Sequence, residues 1–255
     1  MNASAPLADR PVAIVTGASR GIGRAIAEAL SARGYRLVLA ARSVDDTDAT
    51  ATTQPVAVDL RARDAARVVV DRALAAFGRL DLLVNNAGAT LRGDFLAFDD
   101  AAWDDGFALK FFGAVRLCRA AWPHLVATRG AIVNIAGIGG RTGSAEFAIG
   151  GAVNAALLNL TKALADRGVR DGVRVNAVNP SGIATERTQV RIDQVARERG
   201  IAPEAAAHAL AAELRIARFG TPDEIADVVA FLASPAAAYM QGAIVDVDGG
   251  QTRTL

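Results

Sequence analysis

Three glycines in one short stretch, Thr16-Gly17-Ala18-Ser19-Arg20-Gly21-Ile22-Gly23, form the first pattern in this 255-residue chain with an evident chemistry. Gly17 permits a tight turn, Gly21 lets backbone approach a pyrophosphate, and Gly23 lets a helix pack close to a strand. A helix opening here aims free N–H groups and the positive end of its dipole at an anion. Other reactive side chains are scarce: two tyrosines (Tyr35, Tyr239), two lysines (Lys110, Lys162), two histidines (His124, His208) and one cysteine, Cys118. A lone cysteine excludes a disulfide framework and a cysteine zinc site, and two histidines leave little for a histidine site, so no metal is expected. A Ser/His/Asp hydrolase is not expected either.

These residues need a scaffold, and the hydrophobic pattern supplies one. Val12–Val15, Arg36–Ala40, Pro55–Val58, Leu80–Val84, Ala131–Ile135, Val173–Val178 and Ala243–Val247 are apolar runs of strand length without polar alternation, as expected of strands buried on both faces. Helical stretches lie between them: Gly21–Arg33, Asp64–Phe77, Ala101–Thr128, Ala152–Arg167 and Pro222–Ala233. The last opens with Thr221, Pro222 and Glu224, which supply a cap, a first-turn proline and a first-turn acid. The alternation predicts an α/β fold with a doubly wound parallel sheet of about seven strands and helices on both faces. Ser43–Gln54 is polar and short, so that connection is expected to lack a full helix. Glu186–Arg218 is a helical, Arg- and Ala-rich insertion of the kind that often covers a site, with a lid expected at about 186–214.

Hydrophobic content is 52%, charged content 22% and net charge +1, which fits neither a disordered chain nor a polybasic nucleic-acid binder. No apolar run reaches the roughly 18 residues needed to span a bilayer. Met1–Arg10 lacks the pattern of a signal peptide. The expectation is a disordered tail over 1–10, a single domain over 11–255, a cytoplasmic location, and no membrane or nucleic-acid partner.

The chain resembles the short-chain dehydrogenase/reductase family over nearly all of residues 11–250. The resemblance rests on Thr16–Gly23, Asp59, Asn85-Asn86-Ala87-Gly88, Asn134, Asn176-Ala177-Val178-Asn179-Pro180 with Thr185, and the closing Val247-Asp248-Gly249-Gly250. It implies a Rossmann-type fold and an NAD(P)-dependent oxidoreductase with a small-molecule substrate. It also implies roles. Asp59 and the adjoining Leu60 would meet the adenine, and Asn86, Ala87 and Gly88 would line the adenosine ribose. Pro180, Ser181, Gly182, Ile183 and Thr185 would hold the nicotinamide end. Ser181 departs from the family, which usually has glycine there. Asn134 and Asn176 read as buried amides that tie loops together. The end of the second strand, Leu39-Ala40-Ala41, carries no acid to bond a ribose 2′-hydroxyl. Arg42 follows it, and Arg20 is a second cation for a 2′-phosphate, so NADP is expected over NAD, although Asp45 and Asp46 lie close by.

The resemblance also locates the family's four chemical positions, and all four are changed. Gly137 stands at the serine, Gly150 at the tyrosine, Asn154 at the lysine and Lys110 at the asparagine. Neither tyrosine of the chain lies near this region, and the nearest aromatic is Phe147. Asn154 could still bond a ribose hydroxyl. Lys110, if buried beside the space freed by Gly150, could act as acid or base. The alternative is that its ammonium bonds loop carbonyls. Ser144 and Glu146 read as loop residues, Lys162 as an outer-face residue, and Arg187, Arg191, Arg197 and Arg199 as a solvated helix face that could also attract an anionic substrate. Three functions remain open: an NADP-dependent oxidoreductase on a small, apolar carbonyl or alcohol with altered acid–base groups, a nucleotide-binding protein without turnover, and hydride transfer to an activated alkene or an elimination. The family's long helices imply a homotetramer or homodimer.

Overall fold

The computed structural model describes residues 6–45 and 47–253. Seven strands form one parallel sheet in the order β3-β2-β1-β4-β5-β6-β7. They are β1 (Val12–Thr16), β2 (Arg36–Ala41), β3 (Thr53–Ala57), β4 (Leu82–Asn85), β5 (Ala131–Ile135), β6 (Arg174–Pro180) and β7 (Ile244–Val247). The helices are α1 (Gly21–Ala32), α2 (Ala65–Phe77), α3 (Asp100–Phe107), α4 (Gly113–Thr128), α5 (Ala148–Asp171), α6 (Glu186–Arg199), α7 (Pro203–Glu213) and α8 (Pro222–Ala233).

The continuous apolar strands follow from the layering. In β1, Val12 and Ile14 pack with α2 and α4, while Ala13 and Val15 pack with α1 and α8 on the other face. Both faces are dry, so polar alternation has no place. Pro55 is tolerated because β3 is an edge strand. The expected cap on α8 is a full capping box, with Thr221 Oγ1 accepting from Glu224 N at 3.3 Å and Glu224 Oε2 from Thr221 N at 2.7 Å.

Several expectations need correction. The tail expected over 1–10 is ordered in its second half: residues 7–9 form a 3₁₀ turn, and Arg36 donates to the carbonyls of Ala8 and Arg10 at 3.1 and 3.2 Å. Residues 1–5 lie outside the described residues. The helix expected as continuous over Ala101–Thr128 is interrupted by a π-helical turn, Ala108–Phe112, which joins α3 to α4. Glycines bracket it. A Cβ at Gly106 would run into Ile149 of α5, and one at Gly113 would press on the Leu60 carbonyl at 3.3 Å. Helix α5 begins before the expected Ala152, because burial of Ile149, Gly150 and Val153 outweighs the poor helix propensity of Gly150-Gly151. The stretch Ala145–Asp171 also has the length and mean hydropathy (1.3) of a membrane span, contrary to the expectation that none does. One such helix is weak evidence, since a core helix passes the same test, and Val153, Leu157, Thr161 and Ala165 of α5 are buried. No helix forms between β2 and β3 among the described residues, as expected. The insertion after β6 is a pair of helices, α6 and α7, with a small core of Ile192, Val195, Ala196, Ala206 and Leu210.

Candidate active site

The strand order reverses between β1 and β4, the point in such a sheet where the loops at the carboxyl ends part and leave a crevice. A cleft of about 810 Å³ opens there. Its floor is the glycine loop. Gly17 (φ +65°) and Gly21 (φ +54°) hold conformations that favour glycine, and a Cβ on Gly23 would fall on the Gly17 carbonyl. Arg20, at the N-cap of α1, makes no side-chain capping bond, so the first N–H groups of α1 are left for an anion. Thr16 and Asn86 staple this loop to the one after β4. Thr16 Oγ1 accepts from Asn86 N and Ala87 N at 2.9 and 3.0 Å, and Asn86 Nδ2 donates to Thr16 O at 2.9 Å. The Asn86 side chain is therefore spent on structure, and only its exposed remainder faces the cleft.

Most of the expected cofactor residues line this one cleft: Gly17, Ser19, Arg20, Gly21, Ile22, Gly23, Arg42, Asp59, Leu60, Asn86, Ala87, Gly88, Pro180 and Thr185. Ala40, Ala41 and Arg42 form its wall at the end of β2, with no acid among them. Asp45 is not in the wall; its carboxylate accepts from Thr47 N at 2.9 Å and Thr47 Oγ1 at 2.6 Å, which holds its carboxyl below the usual range. Asp46 lies outside the described residues. Asp59 lines the cleft while accepting from Arg61 N at 3.0 Å.

Four expected positions are not in the wall. Ser181 donates to Gln251 at 2.7 Å, and Gly182 (φ +60°) abuts Ile216. Ile183 is buried and bridges to Gly220. Asn154 is 4% exposed and turned towards the loop after β5, where its Nδ2 would lie 2.9 Å from a Cβ at Gly137. Asn154 is thus a packing residue of α5, and its Oδ1 has no hydrogen-bond partner among the described residues. The loop-tying role expected of both Asn134 and Asn176 holds for Asn176, which bonds the segment before β7, whereas Asn134 ties the end of β4 to α5. Asn134 accepts from Asn85 and donates to Thr161, both at 2.9 Å, and Asn176 bonds Met240 O and Ala243 N.

The side chains missing at Gly137 and Gly150 leave no hole. Gly137 has φ +150°, a region all but closed to other residues, and its N–H is held by Asn179 Oδ1 at 2.8 Å. The Phe147 ring occupies the ground over Gly150, where a Cβ would collide with it. The expected space beside Gly150 is therefore filled, and Lys110 does not owe its burial to it. Lys110 instead rises from the π-helical turn and passes over Gly88, where a Cβ would sit 2.8 Å from its Cδ. Its Nζ donates to the Ala136 carbonyl at 2.6 Å, at the carboxyl end of β5 next to Gly137. Burial, and secondarily the charge of Arg187, push its pKa down from 10.5 to about 7. Lys110 lines the cleft, so a half-buried lysine whose pKa is lowered to about 7 belongs to its wall.

Sequence reasoning missed Ala89, Leu109, Glu186 and Val190 as wall residues, and it read Arg187, which also lines the cleft, as part of a solvated helix face that could attract an anion. Glu186 and Arg187 directly follow Thr185, the one available signal. It also missed that Gly17-Ala18-Ser19-Arg20-Gly21 spells the Gly-x-Ser-x-Gly pattern of hydrolases. His124 lies in α4 and His208 in α7, and neither side chain hydrogen-bonds to Ser19 among the described residues, so the pattern here serves the turn.

Comparison with known proteins agrees with this architecture. Residues 17–252 match a family model described as enoyl-(acyl carrier protein) reductase. The chain is 37% identical to cis-4-hydroxycyclohexanecarboxylate dehydrogenase of Sinomonas cyclohexanicum, over 94% of this chain and 96% of that protein. It is 35% identical to 3-oxoacyl-(acyl-carrier-protein) reductase of Escherichia coli, with the same coverage of both chains. The crystal structure of L-sorbose reductase from Gluconobacter frateurii, complexed with NADPH and L-sorbose, superposes with a TM-score of 0.91 at 33% identity, covering 96% of this chain and 98% of that one. The similarity runs along nearly the whole of both chains in each case, and the chain belongs to the short-chain dehydrogenase/reductase family.

Proposed function

We propose that this protein is an NADP(H)-dependent oxidoreductase that acts on a small carbonyl, alcohol or activated alkene, with Lys110 in place of the family's phenol as the proton-carrying group. The observation that carries the proposal is the half-buried Lys110 amine, titrating near 7 in the wall of the same cleft as the uncapped α1 N-terminus. The cleft fits a dinucleotide: glycines where a Cβ would block approach, and unspent N–H groups at a helix start. The glycine loop would hold the pyrophosphate, and Arg20 and Arg42 the 2′-phosphate. Asp59, Leu60 and Ala87 would face the adenosine, and Pro180 and Thr185 the nicotinamide end. When bound, NADPH supplies the hydride. Lys110, as the ammonium, then hydrogen-bonds the substrate oxygen and gives it a proton; in the oxidative direction the neutral amine removes one. Positioning supplies most of such catalysis, so a proton donor other than the family's phenol is tolerable.

Thr185, Glu186, Arg187 and Val190 line the cleft from α6, which supports α6 and α7 as its lid. The domain reading extends to one unit over 11–255. Self-association as a tetramer or dimer is assigned to the outer faces of α4 and α5, where Phe112, Val126 and Val169 are exposed beside them; elution as a monomer contradicts it. A second reading, nucleotide binding without turnover, draws on the Phe147 ring over Gly150 and the bond from Lys110 to Ala136. Titration with NADPH and NADH, followed by a ketone, alcohol and enone panel, tests both. No binding of either nucleotide at about 100 μM defeats both readings, and binding without turnover across the panel defeats the first.

A further inference from the structure

Three arginines lie within reach of one another's charge beside α6, and one of them, Arg187, lines the cleft. Arg187 and Arg191 lie one turn apart on α6 and so on one face of it. Arg92 comes from the segment after β4, whose Gly93 N–H donates to Glu146 O at 3.0 Å. The Arg92 guanidinium carbon stacks 4.5 Å from the centroid of the Phe147 ring. Burial lowers its pKa, the Arg191 charge lowers it further, Glu146 opposes this, and Arg187 adds to it. Arg187 donates to the Gly88 carbonyl at 3.4 Å and lines the cleft beside Lys110, whose proton it also disfavours. Among the described residues no ion pair joins Arg92, Arg187 or Arg191 to a carboxylate. Arg199 of the same helix, by contrast, pairs with Glu213 of α7 at 2.8 Å.

Like charges gathered with no carboxylate in ion-pair contact destabilise a protein, and a cleft beside them focuses their field. A planar fork of donors is matched by a carboxylate. We propose that Arg92, Arg187 and Arg191 form a binding site for a substrate carboxylate, so that the substrate is an oxo acid or the corresponding hydroxy acid. The word "substrate" rests on the oxidoreductase reading above; the anion site does not. Phe147 then has a second role, as the apolar plate that orients Arg92.

The test is a calorimetric titration of the NADP⁺-loaded protein with 4-oxopentanoate, 5-oxohexanoate and 3-oxocyclohexanecarboxylate, each against its carboxamide. At least one acid should bind about tenfold more tightly than its amide, the worth of one good charge-assisted contact. Arg92→Gln and Arg191→Gln should each cut that preference below about threefold, while Arg199→Gln, whose partner is Glu213, should keep it. Absence of any acid preference across the three pairs overturns the inference. So does a loss of NADPH affinity in the Arg92 and Arg191 variants without loss of acid preference, since the cluster then serves the cofactor phosphates. An acid that binds with preference but is not reduced by NADPH supports the anion site and counts against the oxidoreductase reading alone.

Discussion

Replacing Lys110 with methionine should make the protein more stable and less active, and the gain in stability should depend on pH in one direction. The side chain is held over Gly88 with its Nζ 2.6 Å from the Ala136 carbonyl, and burial takes its pKa from 10.5 to about 7. At about 1.36 kcal/mol per pH unit, that difference sets an upper bound of about 5 kcal/mol on the cost of keeping the ammonium in the folded state. Below pH 7 folded and unfolded chains both carry the proton, so the cost is borne in full. Between pH 7 and 10.5 the unfolded chain binds a proton that the folded chain releases, so wild-type stability rises with pH. Above 10.5 the cost is gone. Methionine has similar volume and no charge, but leaves the Ala136 carbonyl without its donor, a loss of about 1–2 kcal/mol. The net gain for Lys110→Met is thus about 2–4 kcal/mol at pH 6, and it falls to about zero by pH 9. Urea unfolding of both proteins at the two pH values measures it. A variant less stable than wild type at pH 6, or a difference that does not change with pH, refutes this picture of Lys110.

Three other substitutions probe the rest of the site. If Arg42 holds the 2′-phosphate as proposed, Arg42→Ala should weaken NADPH binding about tenfold and leave NADH unchanged; equal losses for both cofactors would remove Arg42 from that role. Glu186 Oε2 would lie 3.5 Å from a Cβ on Gly21, next to the proposed pyrophosphate seat. Glu186→Gln should therefore tighten NADPH by about 1 kcal/mol, roughly fivefold, and an unchanged or weaker Kd speaks against that placement. Gly150→Tyr should destabilise by about 1–3 kcal/mol or more without restoring a phenol to the cleft, because the Phe147 ring already covers Gly150. Adding Phe147→Ala should recover part of the loss, and strict additivity in the double-mutant cycle would show that the ring is not the obstacle.

The sheet was legible because its strands are buried on both faces and so read as unbroken apolar runs, from Val12 to Val247. The cofactor cleft was legible because phosphate binding demands glycine where backbone must come close, as at Gly17, Gly21 and Gly23. Chemistry at the other end of the cleft was less so, for reasons that are tertiary. Nothing local says that Phe147 lies over Gly150, or that Asn154 turns to Gly137 instead of the cleft. The φ of +150° at Gly137 is invisible in a loop that contains Gly139 and Gly140 as well. The π-helical turn at Ala108–Phe112 keeps the apolar period of a plain helix closely enough to pass for one, yet it carries Lys110. Arg92 escaped notice because its significance comes from Arg187 and Arg191, roughly a hundred residues away in sequence.

The most direct measurement is the single-turnover rate of NADPH oxidation by a carbonyl substrate, followed from pH 6 to 9 in wild type and Lys110→Met. With Lys110 as the acid, the wild-type rate is full below about pH 7 and falls about tenfold for each pH unit above it, as the ammonium is lost. The variant runs about 10²–10⁴-fold slower and loses that pH dependence. A wild-type rate that ignores pH over this range, or a methionine variant that turns over as fast as wild type, contradicts the assignment of the proton to Lys110.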